Sequence, residues 1–228
     1  MNNALLHLLH ITDPSLPIGA YAHSGGLETY VQAGLVHNKA SAEKMVVEIL
    51  SKNIFYTDAA LLSLAYDAAM HNHTERVLQL DAACTAVKLP YEIRNASIKL
   101  GARLLKLFQP LCSSAVTHRY QQAITAKQAQ GHYCLLFGLY AQALYIPKEQ
   151  ALNGFYYNAA AGLITNCVKL VPLGQQEGQE LLFSLLPLIS RLAAASMQPN
   201  EDLIGVCSPG LDIRCMQHEQ LYSRLYMS

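Results

Sequence analysis

The stretch that decides the fold class is Pro90-Tyr-Glu-Ile-Arg-Asn-Ala-Ser-Ile-Lys-Leu-Gly-Ala-Arg-Leu-Leu-Lys-Leu-Phe-Gln-Pro110. Its apolar side chains recur at spacings of three and four residues, which is the repeat of one face of an α-helix. Basic residues, among them Lys99 and Arg103, fall between the apolar ones. A proline, which the interior of a helix tolerates poorly, stands just outside each end. The pattern predicts an amphipathic helix between the two prolines.

The same helical periodicity fills most of the chain. Comparable windows cover residues 41–55, 58–70, 74–87, 114–127, 132–145, 148–170 and 176–195. Three windows open at a side-chain oxygen that can cap a free N–H of the first turn, namely Ser41, Asp58 and Thr74. The sequence has no convincing period-two strand and no hairpin dipeptide. We therefore predict an all-α protein.

The domain organisation follows from length and composition. The chain has 228 residues, which falls within the usual span of one domain, about 50 to 250 residues. Prolines and glycines punctuate the helices, but no linker or composition shift marks a boundary. We expect a single-domain helical bundle over residues 1–228 with roughly eight to ten helices.

The charge content is low and balanced. The chain has 16 Lys and Arg against 16 Asp and Glu, so 14% of its residues are charged and the net charge is zero. Soluble domains average about 25% charged residues, and the deficit suggests that part of the surface faces another protein. Zero net charge removes the long-range field that gathers nucleic acid. We expect no nucleic-acid partner.

The apolar stretches do not predict a membrane protein. The longest one, 134–146, contains Gln142 and is shorter than the roughly 18 to 20 residues that cross a bilayer. A second, 181–195, contains Pro187 and Arg191. The N-terminal residues lack the basic region and the cleavage site of a signal peptide. We expect a cytoplasmic protein with no membrane partner.

Enzyme motifs are scarce in this sequence. It has no G-x-x-x-x-G-K-[ST] or G-x-G-x-x-G loop for nucleotide phosphates. Residues 22–26 differ by one residue from the G-x-S-x-G elbow of serine hydrolases, but prolines rather than a strand precede them, so hydrolysis at Ser24 is only a weak alternative. The six cysteines form no C-x-x-C pair. We predict no enzyme activity, no cofactor and no metal site, while a transient nickel contact through histidine stays open.

Four segments resist a simple helical interpretation, and the first is residues 12–28. Two prolines and Gly19 predict a non-helical run. Ser24 then opens a helix as a candidate N-cap, with Glu28 in its first turn. A carboxylate at that position is stabilised by the positive end of the helix dipole.

The other three segments lie further along the chain. Gly101 stands inside a predicted helix, where glycine costs about 1 kcal/mol relative to alanine and therefore suggests close packing. In 169–174, Pro172 and Gly174 end a long helix that carries Lys169 in its last turn. In 208–228, the spacing of Leu221 and Leu225 predicts a terminal helix after a Pro-Gly turn.

Together these segments resemble the family of the urease accessory protein UreF. The matching positions are 16–21, Ser24, Gly26, Leu27 and Glu28, then 92–94 and Gly101, then 169–175 and Gly178, and finally Met216, His218, Glu219, 222–225 and Ser228. Residues with a structural part in the motifs are Pro17, Gly19, Tyr21, Gly26, Arg94, Gly101, Pro172 and Gly174. His23, Gly25 and Met227 depart from the family pattern. The motifs occur in family order over nearly the whole chain.

The resemblance implies a helical, non-enzymatic protein that dimerises. It further implies binding to UreD, also called UreH, and recruitment of the GTPase UreG, so that the assembly delivers nickel into apo-urease. This chain would then position the GTPase and gate or time its GTP turnover. The alternative is a generic helical adaptor of another assembly.

The resemblance also implies which residues bind partners. Candidates for a polar face toward the GTPase are Ser24, Glu28, Lys169 and Arg224. Each has a structural alternative as a helix cap, a dipole partner or a surface ion pair. Residues 208–228 are expected to form a C-terminal partner-binding tail that orders on binding UreD. Its candidate contacts are Asp212, His218, Glu219, Tyr222, Leu225 and Ser228.

Overall fold

A computed structural model describes residues 3–19, 23–206, 208–222 and 224–226. Within these ranges the chain forms helices and no strand: α1 (Ala4–Ile11), α2 (Leu27–Gln32), α3 (Lys39–Glu48), α4 (Ala60–Met70), α5 (Thr74–Val87), α6 (Tyr91–Phe108), α7 (Ala115–Thr125), α8 (Tyr133–Ala143), α9 (Lys148–Leu170), α10 (Gln175–Ala195) and α11 (Pro209–His218). A π-helical segment, Ile49–Ala59, joins α3 to α4, and a 3-10 turn spans Glu201–Leu203. Since α3, the π-helical segment and α4 form one continuous rod, the described residues form ten helical rods. The prediction of an all-α bundle is confirmed.

Helix α8 lies at the centre of the bundle. Its residues from Cys134 to Ala141 are all buried, and α4, α6, α7 and α9 pack around it. A helix that is apolar on every side is stable only inside a protein or a membrane, which explains why the longest apolar stretch of the sequence forms this helix. Gly138 permits the close approach of α4, because a Cβ there would lie 2.5 Å from the carbonyl oxygen of Leu62. Among the described residues, no helix has the length and apolar composition needed to cross a membrane.

The amphipathic helix between the two prolines is confirmed as α6. Gly101 lies on its buried face, where a Cβ would stand 1.9 Å from the carbonyl oxygen of Gly131. The expected close packing at Gly101 is therefore observed. At the N-terminal end of α6, Arg94 donates a hydrogen bond of 2.9 Å to the carbonyl oxygen of Lys88. This contact fixes the short connection from α5.

The turn between α9 and α10 also follows the sequence prediction. Helix α9 ends at Leu170 with Lys169 in its last turn, and Pro172 lies in the connection. Gly174 precedes α10 as its N-cap, and its N–H donates to Glu177 Oε2 at 2.8 Å. The two long helices pack against each other along their length.

Three predicted helix starts are wrong. The cap of α3 is Asn38, whose side chain accepts from the N–H of Ser41 at 2.9 Å, so Ser41 lies in the first turn. Asp58 caps nothing, because it lies inside the continuous rod. Thr74 is the first residue of α5 rather than its cap. In each case the spacing of apolar residues located the helix but not its first residue.

The carboxylate of Asp58 is directed toward α5 instead. Lys88 Nζ lies 2.9 Å and 2.8 Å from the two carboxylate oxygens of Asp58, and both side chains are largely buried. Burial raises the pKa of Asp58, but the adjacent Lys88 cation and its hydrogen bonds outweigh that effect and lower it. Burial likewise lowers the pKa of Lys88, and Asp58 raises it by more. The ion pair ties the π-helical segment to the end of α5.

The prediction of a helix through Leu221 and Leu225 is also wrong. Helix α11 ends at His218, and the residues described after it form turns and bends. Helix α11 packs against α2 and α6, and its Cys215 and His218 are buried. The described part of the C-terminal segment is therefore docked on this chain's own helices.

Candidate functional site

The entry to α2 is shaped by two glycines rather than by a serine cap. Gly25 and Gly26 have φ angles of +60° and +83°, and Gly26 is the N-cap of α2. The prediction of Ser24 as the cap is therefore wrong. A Cβ at Gly26 would stand 2.9 Å from Cys215 Sγ, so this glycine lets α11 approach closely. Ser24 is fully buried, and its hydroxyl has no hydrogen-bond partner among the described residues.

Glu28 lies in the first turn of α2 and holds the C-terminal segment. Its Oε1 accepts from the N–H of Leu225 at 2.7 Å, and its Oε2 accepts from the N–H of Tyr226 at 3.1 Å. Oε2 also lies 2.9 Å from His218 Nε2. Burial raises the pKa of Glu28, but the hydrogen bonds from His218 and the two backbone N–H groups outweigh it, and the pKa is lowered. Only 4% of Glu28 is exposed, and its described hydrogen bonds all lie within the chain.

A second carboxylate faces the other side of the same histidine. His218 Nδ1 lies 2.6 Å from Glu92 Oε2, and Arg224 Nη1 donates to Glu92 Oε1 at 2.7 Å. Ionised carboxylates only accept hydrogen bonds, and only a doubly protonated imidazole donates from both nitrogens. The geometry therefore suits an imidazolium between two carboxylates. We call the four residues Glu28, Glu92, His218 and Arg224 the C-terminal clamp.

A cavity of about 410 Å³ lies beside the clamp, between the π-helical segment, α9 and α11. Polar residues on its wall include Asn53, Asn158 and Asp212. Burial raises the pKa of Asp212. At one edge Asn166 Nδ2 donates to the carbonyl oxygen of His23 at 2.9 Å, which joins the end of α9 to the loop before α2. No three His, Cys, Asp or Glu side chains of the described ranges are placed to hold one metal ion.

Comparison with known proteins identifies the family. The sequence model of UreF matches residues 36–186. The chain is 48% identical over 221 residues to the urease accessory protein UreF of Actinobacillus pleuropneumoniae serotype 5b (strain L20), covering 97% of each chain. The chain belongs to the UreF family. It is also 46% identical to UreF of Haemophilus influenzae (strain KW20), over 97% of this chain and 94% of that one, and 34% identical to UreF of Bacillus sp. (strain TB-90), over 99% and 100%.

The clamp joins several positions that carry the UreF resemblance. It unites Glu28 and His218, which are both buried, with Arg224, whose side chain is 39% exposed. Glu92 was not a predicted binding residue, although it begins the motif at 92–94. The sequence places Glu92 in the first turn of α6, but its partner His218 lies 126 residues further along the chain. Sequence spacing alone cannot reveal such a contact.

The remaining predicted partner-binding residues of this UreF-family chain are more exposed. Tyr222 is fully exposed and Leu225 is 69% exposed. Asp212 and Glu219 are half-buried. Lys169 is exposed at the end of α9 and forms no side-chain hydrogen bond or ion pair within the described parts of the chain. The structure does not bring Lys169 into the clamp.

The motif residues before α2 are explained by packing. Pro17 lies in a turn, and Gly19 has a φ angle of +77°. A Cβ at Gly19 would stand 2.0 Å from the guanidinium of Arg103, which donates to the carbonyl oxygen of Ile18 at 2.8 Å. Tyr21 and Ser228, both predicted from the resemblance, lie outside the described residues.

Proposed function

We propose that this chain is a non-enzymatic urease maturation factor that works in the cytoplasm. In this proposal it acts with UreD (UreH) as a scaffold that recruits the GTPase UreG and couples or gates its GTP turnover for nickel insertion into apo-urease. Membership of the UreF family supports the proposal, and the relatives carry the name urease accessory protein. The sequence has no phosphate-binding loop, so the nucleotide chemistry is assigned to the partner.

The observation that carries this proposal is the C-terminal clamp. Glu28 and His218 are buried, so their role is to position the C-terminal segment rather than to contact a partner directly. The segment they hold presents the exposed side chains of Tyr222 and Leu225. An exposed aromatic side chain on a fixed backbone provides an anchor for another protein, and Leu225 adds apolar area in the same segment. We therefore assign UreD binding to this segment.

The GTPase contact is assigned to two exposed cations, Lys169 and Arg224. Lys169 is a free exposed cation at the end of α9, as judged from the described residues. Arg224 is partly exposed and is oriented by Glu92. Because the net charge of the chain is zero, recognition rests on such short-range contacts rather than on long-range attraction.

Exposed apolar side chains support a dimer and an apolar partner interface. On α1, Leu5 and Leu6 are each 64% exposed and Leu9 is 58% exposed. On α10, Phe183 is 75% exposed. Clusters of large exposed apolar residues mark interaction surfaces more often than single ones do. They agree with the low charge content of the sequence, and we propose that the chain forms a homodimer.

The weak hydrolase alternative receives no support from the geometry. The Ser24 hydroxyl is fully buried and has no hydrogen-bond partner, histidine included, among the described residues. A nucleophilic serine needs a base within hydrogen-bond reach and access to its substrate. We assign Ser24 a structural place in the wall of the cavity.

The decisive experiment replaces exposed residues one at a time. Tyr222→Ala, Leu225→Ala, Arg224→Ala and Lys169→Ala are each co-expressed with UreD, UreG and apo-urease. We expect the first two to reduce UreD capture, and the last two to reduce UreG capture and urease activation, each by about tenfold or more. Tyr157→Ala, which removes a tyrosine that is 45% exposed on α9, is the matched control.

Substitutions are preferable to removing the C-terminal residues. Helix α11 buries Cys215 and His218 against α2 and α6, so a deletion from residue 212 would disturb the fold as well as the interface. Unchanged capture of UreD and UreG by all four variants would overturn the assignment. Normal urease activation in cells that lack this chain would instead favour the adaptor of another assembly. Sedimentation with and without GTP then measures the stoichiometry of the complex.

A further inference from the structure

Two buried cysteines from distant parts of the sequence meet outside the clamp. Cys84 lies in the last turn of α5 and Cys134 in the first turn of α8, and both are fully buried. Their Sγ atoms are 3.8 Å apart, although 50 residues separate them in sequence. At this distance the two sulfurs are in direct contact and share a hydrogen bond.

The surroundings of this pair are charged and polar. Lys88, one turn after Cys84, carries the cation that pairs with Asp58. His132 immediately precedes α8, and its ring nitrogens lie 2.9 Å from Thr85 Oγ1 and 3.1 Å from Ser97 Oγ. His132 is fully buried. A cation and an imidazole beside a thiol are the groups that favour a reactive thiolate.

The other buried cysteines provide a contrast within the same chain. Burial raises the pKa of Cys167 and of Cys215 to about 12, which keeps both as inert thiols. At Cys84 the hydrogen bond with Cys134 lowers the pKa, and His132 and Lys88 lower it further against the effect of burial. The same hydrogen bond and burial raise the pKa of Cys134. Of the two thiols, Cys84 is therefore the one that loses its proton more readily.

We propose that Cys84 and Cys134 form a redox-active dithiol that a hydroperoxide converts into a disulfide between α5 and α8. The Cys84 thiolate attacks one peroxide oxygen, so that an S–O bond forms and the O–O bond breaks. The departing oxygen takes up a proton and leaves as water or an alcohol, and Cys84 becomes a sulfenic acid. Cys134 then attacks the Cys84 sulfur, the S–O bond breaks, and the hydroxyl group leaves as water with the proton of Cys134. The two sulfurs are oxidised by two electrons in all, and the peroxide is reduced.

The fold accommodates both redox states. The sulfurs are already 3.8 Å apart, and a disulfide requires them to approach to about 2.05 Å. The disulfide is uncharged, and Lys88 keeps Asp58 as its partner. No buried charge is left without compensation. Because both sulfurs are buried, the peroxide reaches them through local opening of the structure.

The test uses the full chain, reduced and then exposed to hydrogen peroxide while folded. After quenching, the protein is unfolded, alkylated with N-ethylmaleimide and mapped by mass spectrometry. We expect two of the six cysteines to escape alkylation together, in a peptide pair that links Cys84 to Cys134 and that dithiothreitol separates. Cys84 and Cys134 remaining fully alkylated while the half-buried Cys112 is oxidised would overturn the proposal.

Variants assign the two roles. In Cys134→Ala, we expect dimedone to trap a sulfenic acid at Cys84. In Cys84→Ala, the rate at which peroxide oxidises Cys134 should fall by at least about tenfold, because the thiolate that attacks the peroxide has been removed. Cys112→Ala is the control and should form the Cys84–Cys134 disulfide at the normal rate. Oxidation of Cys134 at an undiminished rate in Cys84→Ala would exclude Cys84 as the nucleophile. The mapping of the native chain decides the proposal even where a variant fails to fold.

Discussion

His218 and Glu28 are 190 residues apart in sequence, and His218 Nε2 lies 2.9 Å from Glu28 Oε2. This contact joins α11 to the first turn of α2. The other ring nitrogen of His218, Nδ1, lies 2.6 Å from Glu92 Oε2. The C-terminal segment is thereby held against α2 and α6. We propose that this segment binds the partner proteins, so its stability and its function can be tested together.

Glu28→Gln tests the clamp directly. Glutamine keeps the shape of the side chain but removes the negative charge that His218 and two backbone N–H groups share. We expect a loss of about 2 to 3 kcal/mol in the free energy of unfolding, as measured for hydrogen bonds to buried charged groups. Urea denaturation followed by circular dichroism measures it. The control is Glu149→Gln, which alters an exposed carboxylate on α9. If Glu28→Gln lowers the free energy of unfolding no more than this control does, the clamp contributes little to stability.

The clamp also predicts a dependence of stability on pH. Folding lowers the pKa of Glu28 below its ordinary value near 4.5. The carboxylate therefore stabilises the folded state above that pH, and this contribution is lost as the pH falls through the lowered folded value. The difference in unfolding free energy between the wild type and Glu28→Gln should be largest at neutral pH. It should shrink as the pH falls below the ordinary glutamate pKa of 4.5.

Urea denaturation of both proteins across this acidic range provides the measurement. The comparison cancels the titration of Asp58, which both proteins retain and whose pKa is also lowered. A difference that stays constant down to the most acidic pH at which both proteins fold would contradict the prediction.

The buried pair of Asp58 and Lys88 predicts a large effect of removing one partner. Lys88→Met leaves the carboxylate of Asp58 buried without its cation, which we expect to cost about 3 to 5 kcal/mol of unfolding free energy. The double variant Asp58→Leu with Lys88→Met should recover much of that loss, because no unpaired charge remains. Lys39→Met is the control, since its ion pair with Glu180 is exposed, and it should leave the urea midpoint unchanged. A double variant no more stable than Lys88→Met would argue against this account.

Two helical glycines predict opposite effects of alanine. At Gly101 a Cβ would meet the carbonyl oxygen of Gly131 at 1.9 Å, so Gly101→Ala should force α6 away from the loop before α8. Such overpacking costs about 1 to 3 kcal/mol or more. At Gly162 no atom lies within 4 Å of the Cβ position, so Gly162→Ala should stabilise α9 by up to about 1 kcal/mol. Thermal unfolding of both variants should show shifts of opposite sign, and shifts of the same sign would refute the packing argument.

The predictions from sequence succeeded where the physical cause is local. The periodicity of 90–110 gave α6, Gly101 indicated close packing, and Pro172 with Gly174 marked the end of α9. They failed where a contact outside the segment, or the local backbone conformation, decides the role of a residue. Asp58 looked like a helix cap, but it is held by Lys88 in another helix, and Ser24 looked like a cap where Gly26 has the required backbone conformation.

The site was only partly predictable for the same reason. The resemblance to the UreF family singled out Glu28, His218 and Arg224 as separate positions. Nothing in their spacing showed that Glu92 would connect two of them, or that two of them would be buried. Similarly, Cys84 and Cys134 looked like ordinary buried thiols until their contact was seen.

The sequence by itself determined that this chain is helical, of low charge and a member of the UreF family, because helical periodicity, composition and motif order are all written along the chain. Only the tertiary structure decided which ionisable groups share a proton or a charge. Carboxylates, imidazoles and thiols change their chemistry over distances of about 3 to 4 Å. Such distances are set by how α2, α6 and α11, or α5 and α8, pack together, and no local pattern encodes them.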